Sequence, residues 1–239
     1  TVSNNQTPNA KNAQDAINGG KEYIDRWTNK TSTITPILGP HAIYTLNLDQ
    51  LKETRRVANL TDTPISIHLS ESEFELEYSK TTYGMTSIEA LDSIDFFKGR
   101  TIAAHVVWPT KKEIEILAER NVGVIHNPTS NMKLASGIAP ITEMLDAGIL
   151  IGIGTDGAAS NNDLDMWEEM RLAALLQKVT QMNPEVLPAT TVLRMATTNA
   201  AKIIGLDEKV GKLEIGMDAD IIQVAFDDVH HQPNYDIAS

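Results

Sequence analysis

At 239 residues, with 41% hydrophobic and 22% charged side chains, the chain has an ordinary globular composition and is long enough for one substantial core. Its formal net charge is −12, and its basic residues cluster no further than pairs such as Lys111-Lys112 and Arg55-Arg56, so neither nucleic acid nor an anionic membrane surface is expected as a partner. With no cysteine there is no disulfide framework, thiolate metal site or cysteine nucleophile, so any metal must be held by His and carboxylates. No apolar run reaches the ~18 residues of a membrane span, and the polar lead TVSNNQTPNAKNAQ lacks a signal pattern; a soluble, cytoplasmic protein is expected.

Residues 1–10 read as a frayed lead and 11–28 as a helix weakened by Gly19-Gly20. ITPIL (34–38) is a short apolar strand leading to GPHAIYT, and Asn47 to Leu60 carries a helical pattern. After the TDTP turn come the strand TPISIHLSE, a polar excursion over 72–85, a helix around Ser87 to Asp95, and the strand RTIAAHVVW. Thr110 caps a helix over 111–120, with Glu113 as its capping-box partner. NVGVIHNP is the next strand, Gly137 to Ala147 a helix stopped by Gly148, and ILIGIGTDG a further strand. Two more helices follow, 164–179 with Leu164, Trp167, Met170, Ala174 and Val179 along one side, and 188–204 stopped by Gly205. Five strands alternating with helices predict an α/β fold with a parallel sheet, and an open sheet of that size would leave exposed edges and invite low stability. VGKLEIGMDADIIQVAF then changes to short alternating runs with Gly turns, as the edge of a small β unit.

Three of the strands deliver polar groups at their C-terminal ends: His68 and Glu71, His105, and Asp156. In a parallel barrel this is the edge where catalytic groups gather. His68 or His105 alone reads more simply as a core histidine, and Glu71 as one member of an acidic segment with Glu73, Glu75 and Glu77. Asp156 is different, because a buried charge must be paired, hydrogen-bonded or metal-bound. Together, His, His and Asp form a site suited to zinc or ferrous iron, with acidified water as the expected nucleophile and Glu71 placed to move protons. His41 opens onto the same edge, and His126 reads as a structural or supporting residue within a polar loop, 127–136. Trp108 reads as core packing, Asp163, Asp165, Glu168 and Glu169 as a solvated helix start, and His230-His231 receives no role.

The segments PHAIYT, HLSE, AHVVW, HNPTSNMKLASG, GTDGAASNNDLDMWEEMR and LRMATTNAAKIIGL followed by GKLEIGMDADI occur in an order that resembles the amidohydrolase superfamily, in its branch of cytosine-deaminase-like and triazine-hydrolase-like enzymes. The resemblance covers roughly residues 30–225 and is closest to deaminases of 5-methylthioadenosine and S-adenosylhomocysteine. It implies the C-terminal part of a (β/α)8 barrel over 1–205 and the start of a β-sandwich over 206–239. It further implies one divalent metal, zinc with iron as the alternative, ligated by His68 and Asp156. Glu71, His105 and Asp156 would be catalytic, and His41, Glu71 and Asp156 would contact a small-molecule purine nucleoside or related heterocycle. Homo-oligomers of the full-length enzyme are implied as well.

The family's H-x-H ligand pair occurs nowhere in the chain. The expectation is therefore a piece of a longer enzyme with the first strands upstream of Thr1, and residues 1–239 alone should bind metal weakly and turn over no substrate. The function expected of the whole is hydrolytic deamination of an adenosine-type nucleoside with release of ammonia. The alternatives are a guanine or cytosine deaminase, an s-triazine chlorohydrolase, or a non-catalytic scaffold that has lost the metal site.

Overall fold

A computed structural model describes residues 1–225. Four parallel strands, β1 (Ile65–Leu69), β2 (Thr101–His105), β3 (Gly123–His126) and β4 (Ile151–Ile153), form one sheet in sequence order. Helices fill the crossovers, as parallel pairing requires. Between β1 and β2 lie α1 and α2 of the crossover, Glu73–Tyr83 and Ser87–Ser93; between β2 and β3 lies α3, Lys111–Glu119. Between β3 and β4 lie α4 (Pro128–Lys133) and α5 (Ile141–Asp146). Two further helices precede the sheet, Ala13–Trp27 and Leu48–Leu60, and α6 (Ala158–Asn161) and α7 (Met166–Gln181) follow it. The chain then forms α8 (Ala189–Arg194), one π turn (Met195–Asn199) and α9 (Ala200–Ile204). The registers Leu69↔His105 and His126↔Ile153 bring the polar strand ends to one edge of the sheet.

The expected strand at 34–38 is reduced to a bridge from Leu38 to Ile65. Ser66 N–H donates to the Leu38 carbonyl and His68 N–H to that of His41, but Pro40 has no N–H with which to continue a ladder. The lead is not frayed at its start: Val2 is buried and bridges Pro40, with its N–H donating to the Gly39 carbonyl. The first helix survives its glycines because Gly20 lies against Leu38, where a Cβ would come within 2.8 Å of Leu38 Cδ2. The polar excursion at 72–85 is largely the helix Glu73–Tyr83, and the helix expected from Gly137 is confined to Ile141–Asp146. Part of the loop expected at 127–136 is helix α4, opened by Pro128.

Arg55, one half of the basic pair Arg55-Arg56, is buried. Its Nε donates to the Phe96 carbonyl at 2.6 Å and its Nη2 to Thr101 Oγ1 at 2.6 Å, and burial lowers its pKa to about 10. Along α7 the buried side is Glu169, Ala173 and Gln177, one turn apart, while Trp167 and Val179 of the expected apolar stripe are exposed. Polar groups can face inward here because each finds a partner, Gln177 Nε2 donating to the Ala139 carbonyl at 2.9 Å. The free edge of β4 is partly covered, since Asn199 Nδ2 donates to the Ile151 carbonyl at 3.2 Å. Residues 206–225 contain no strand, and Leu213, Ile215, Ile221 and Ile222 are exposed. The rest of the expected β unit, with His230-His231, lies outside the described residues. Among those described, no helix is long and apolar enough to cross a membrane.

The turn from β4 toward Asp156 depends on Gly154, where a Cβ would stand 2.6 Å from Asn127 Oδ1 and 2.7 Å from Ile125 Cγ2. Gly154→Ala is expected to destabilise the fold by about 1–3 kcal/mol through overpacking. The denaturant midpoint measures this, and an unchanged midpoint would contradict the close approach.

Candidate active site

The strand ends reverse sharply. Ser70, His105, Val106 and Asp156 all have positive φ, at 51°, 75°, 47° and 58°. Such angles are uncommon outside glycine, unfavourable for a β-branched residue such as Val106, and concentrate at functional sites. Hydrogen bonds hold the reversals: the Ser70 carbonyl accepts from Val107 N–H at 2.9 Å and Trp108 N–H at 3.0 Å, and Val106 N–H donates to the Leu69 carbonyl.

On these turns one donor atom from each of His68, His105 and Asp156 lies within 4.8 Å of the others. His68 Nδ1–H donates to the His41 carbonyl at 2.9 Å, so the lone pair is on Nε2. His105 is fully buried, and its Nδ1–H donates to Asn131 Oδ1 at 2.8 Å. Its Nε2 has no protein hydrogen-bond partner and lies 4.0 Å from Glu71 Oε2. A buried, orphaned imidazole nitrogen beside a second imidazole and a carboxylate is a donor set that fits zinc or ferrous iron. His68, His105 and Asp156 would hold the ion. His105, given only a catalytic role by the resemblance, thus joins the candidate ligands.

Burial alone would raise the Asp156 carboxyl, but hydrogen bonds from the Ser160 and Ser130 hydroxyls and the Gly157 N–H, helped by nearby His105, hold it below the usual carboxylate range. The His41 ring is 4.9 Å from that of His68 and meets Tyr44 edge-on, with Nδ1 against Thr45 Oγ1. Burial, then His68, lowers its pKa against the opposing effect of Glu71. All five expected site residues, His41, His68, Glu71, His105 and Asp156, therefore meet at one edge.

Sequence reasoning missed the residues that hold them. Ser130, Asn131 and Ser160 sat within polar stretches that gave no sign of which side chain turns inward. Glu169, read as part of a solvated helix start, is buried; it accepts from Asn161 Nδ2 at 2.6 Å and Thr129 N–H at 3.1 Å, and Asn161 also binds the Thr155 carbonyl. Glu169 so ties α4, α6 and α7 around Asp156. Asp165 is the N-cap of α7, accepting from Trp167 and Glu168 N–H, as a helix start requires. Trp108 packs against the core, with its indole N–H donating to the Ser136 carbonyl at 2.7 Å.

An α/β chain with imidazole and carboxylate groups converging at the C-terminal edge of its parallel strands has the layout of a metal-dependent barrel hydrolase. A model of the amidohydrolase family matches residues 6–238, and the chain belongs to that family. It is 49% identical over 214 residues to a 5-methylthioadenosine/S-adenosylhomocysteine deaminase of Desulforudis audaxviator, a match covering 89% of this chain and 50% of the relative. It is 45% identical to a 5′-deoxyadenosine deaminase of Methanococcoides burtonii, covering 92% and 50%. A zinc-bound adenosine deaminase from Xanthomonas campestris superposes with a TM-score of 0.95 at 35% identity, covering 99% of this chain and 54% of the other. The chain spans about half the length of these relatives, and their fold makes its sheet part of a TIM-type barrel.

His126 is fully buried and, among the described residues, neither ring nitrogen has a hydrogen-bond partner; burial, then the neighbouring His105, pushes its pKa down to about 3. The unfolded chain takes up a proton near 6.5 that the folded chain refuses, so this histidine costs no stability above that pH and progressively more as the pH falls toward 3. His126→Leu is expected to reduce the acid slope of unfolding free energy by about 1.4 kcal/mol per pH unit between about pH 6 and pH 4. Denaturant titrations of metal-free protein measure it; parallel slopes would mean that His126 titrates freely.

Proposed function

We propose that the protein carrying this chain deaminates an adenosine-type nucleoside of the 5-methylthioadenosine or S-adenosylhomocysteine kind, releasing ammonia. The observation that carries this reading is Glu71, a carboxylate 4.0 Å from the unpartnered Nε2 of His105, beside the cluster of His68, His105 and Asp156. A carboxylate placed beside rather than within a donor cluster is suited to moving protons between water and a heteroaromatic ring. The names of the similar proteins support the choice of substrate class.

A divalent metal, read as zinc, would supply acidification of water when bound to His68, His105 and Asp156. Asp156, kept ionised by its two serine hydroxyls, accepts the proton lost as water oxygen bonds to the ring carbon bearing the amino group. Glu71 delivers a proton to the adjacent ring nitrogen. The amino group takes up the proton held by Asp156 and leaves as ammonia, while the hydroxyl proton at that carbon passes to Glu71 as the carbonyl forms, restoring both carboxyl groups. His105, oriented by Asn131, turns its Nε2 lone pair toward the same space as a ligand, and His41 contacts the purine. Within the described residues, 206–225 are read as belonging to the edge of a β-sandwich, supported by the exposed Leu213, Ile215, Ile221 and Ile222. A cytoplasmic setting is supported by the net charge of −12 and the lack of cysteine.

The test measures ammonia release from methylthioadenosine, S-adenosylhomocysteine, guanine, cytosine and a chloro-s-triazine, using residues 1–239 and the longest reading frame that contains them. Activity on the adenosine-type substrates is expected of the longer reading frame and not of residues 1–239 alone, with the longer protein's kcat reduced about 10²–10⁴-fold in Glu71→Gln while bound zinc is unchanged. Turnover of only guanine, cytosine or the triazine would reject the substrate class, and zinc-free, inactive protein would favour a scaffold.

A further inference from the structure

We propose that Glu75 is a positioning residue for Glu71: its buried carboxylate clamps the backbone turn from which Glu71 projects. This rests on reading Glu71 as the proton-transfer group.

Among the described residues, three helices close their first turn with a capping box, Asn47 with Gln50, Thr86 with Glu89, and Thr110 with Glu113. In each, the third helical residue turns its side chain back to the N-cap amide. The helix Glu73–Tyr83 has the same start: Ser72 is its N-cap and accepts from Glu75 N–H. The Glu75 carboxylate nevertheless bypasses the Ser72 amide and reaches further upstream. Its Oε1 accepts from Ser70 N–H at 2.7 Å and its Oε2 from Glu71 N–H at 3.0 Å. Glu75 is fully buried, and among the described residues no Lys, Arg or His forms an ion pair with it. Burying a carboxylate without a counter-ion is costly, and burial does push this group above its ordinary range, opposed by the two backbone N–H groups. A neutral side chain would cap the helix at lower cost. A two-oxygen acceptor is what the turn requires, because two successive N–H groups point at it.

Ser70, at the centre of that turn, is held at φ 51°. Its carbonyl accepts from Val107 and Trp108, immediately past His105 and Val106. The Glu75 clamp therefore fixes the Glu71 turn, and through Ser70 it braces the turn that follows His105. Small displacements of a proton-transfer group can cost about 10²-fold in rate, so a clamp of this kind acts on kcat.

Glu75→Gln and Glu75→Asp are compared with wild type in kcat, KM, zinc per chain and hydrogen exchange resolved to single amides. Glutamine keeps one acceptor oxygen and turns an NH2 toward the other N–H. In Glu75→Gln, kcat is expected to fall about 10- to 100-fold with KM within about threefold and zinc unchanged. Protection of the Ser70 and Glu71 amides should fall at least about tenfold while that of Ile102–Ala104 is retained. Glu75→Asp keeps both oxygens and should recover part of kcat; it also serves as the test if the glutamine variant does not fold. Unchanged kcat and unchanged Ser70 and Glu71 exchange in a folded variant would overturn the proposal, as would kcat loss that tracks loss of zinc. If wild type deaminates no nucleoside, the deaminase reading fails, and the exchange data decide whether the clamp exists.

Discussion

At each strand end that carries chemistry the backbone leaves the extended conformation for the left-handed region, and the site depends on the hydrogen bonds that hold it there. Ser70, His105, Val106 and Asp156 are non-glycine residues in a conformation that costs of order 1–3 kcal/mol each when unsupported. The support is local and directional. The Ser70 carbonyl gathers two amides from the neighbouring turn, Glu75 gathers two amides from below, and Gly157 N–H and two serine hydroxyls converge on Asp156. A flat extended strand would alternate its side chains across the sheet and could not bring His68, His105 and Asp156 within reach of one another by strand geometry alone.

That requirement explains why buried carboxylates recur beneath the site. Glu75 and Glu169 lie on different helices; Glu75 accepts two backbone N–H groups from the turn that bears Glu71, and Glu169 accepts from Thr129 N–H in α4 and from the Asn161 side chain, which also binds the Thr155 carbonyl beside Asp156. An apolar residue at either position would relieve the cost of burying charge but would leave loop amides without acceptors, the more serious fault in a water-poor interior. Each loop must be rigid, and neither contributes a regular ladder, so side-chain acceptors take over the role that a neighbouring strand plays elsewhere.

The alternation of strands and helices, and the three strand ends that carry His68, His105 and Asp156, were legible in the sequence because hydrophobic runs and polar strand ends are local signals. The strand expected at 34–38 failed because Pro40, just past the run, lacks the N–H that would extend pairing, and only single bridges remain. The side facing inward on α7 was misread because Glu169 and Gln177 are buried through partners far away in sequence, which no helical periodicity can reveal. Glu75 was hidden for the same reason. In a run of alternating glutamates it is indistinguishable from its solvated neighbours until the fold places two amides in front of it.

The protonation pattern at the site follows from the same partners. Asn131 and the His41 carbonyl each take an Nδ1–H, which commits His105 and His68 to a tautomer whose Nε2 carries a lone pair. Serine hydroxyls load the Asp156 carboxylate and favour its ionised form. Two lone-pair nitrogens and an anionic oxygen thus face a common space, an arrangement that is mutually repulsive by itself and that a divalent cation would balance. His126 lies deeper, kept neutral chiefly by burial, so the layer beneath the site adds no cationic charge of its own. The backbone bonds that hold the strand-end turns thus place the donors, and side-chain bonds from Asn131, Ser130 and Ser160 set their electronic character, so a change in Asn131 or Ser130 would alter the donors without removing the turns' backbone bonds.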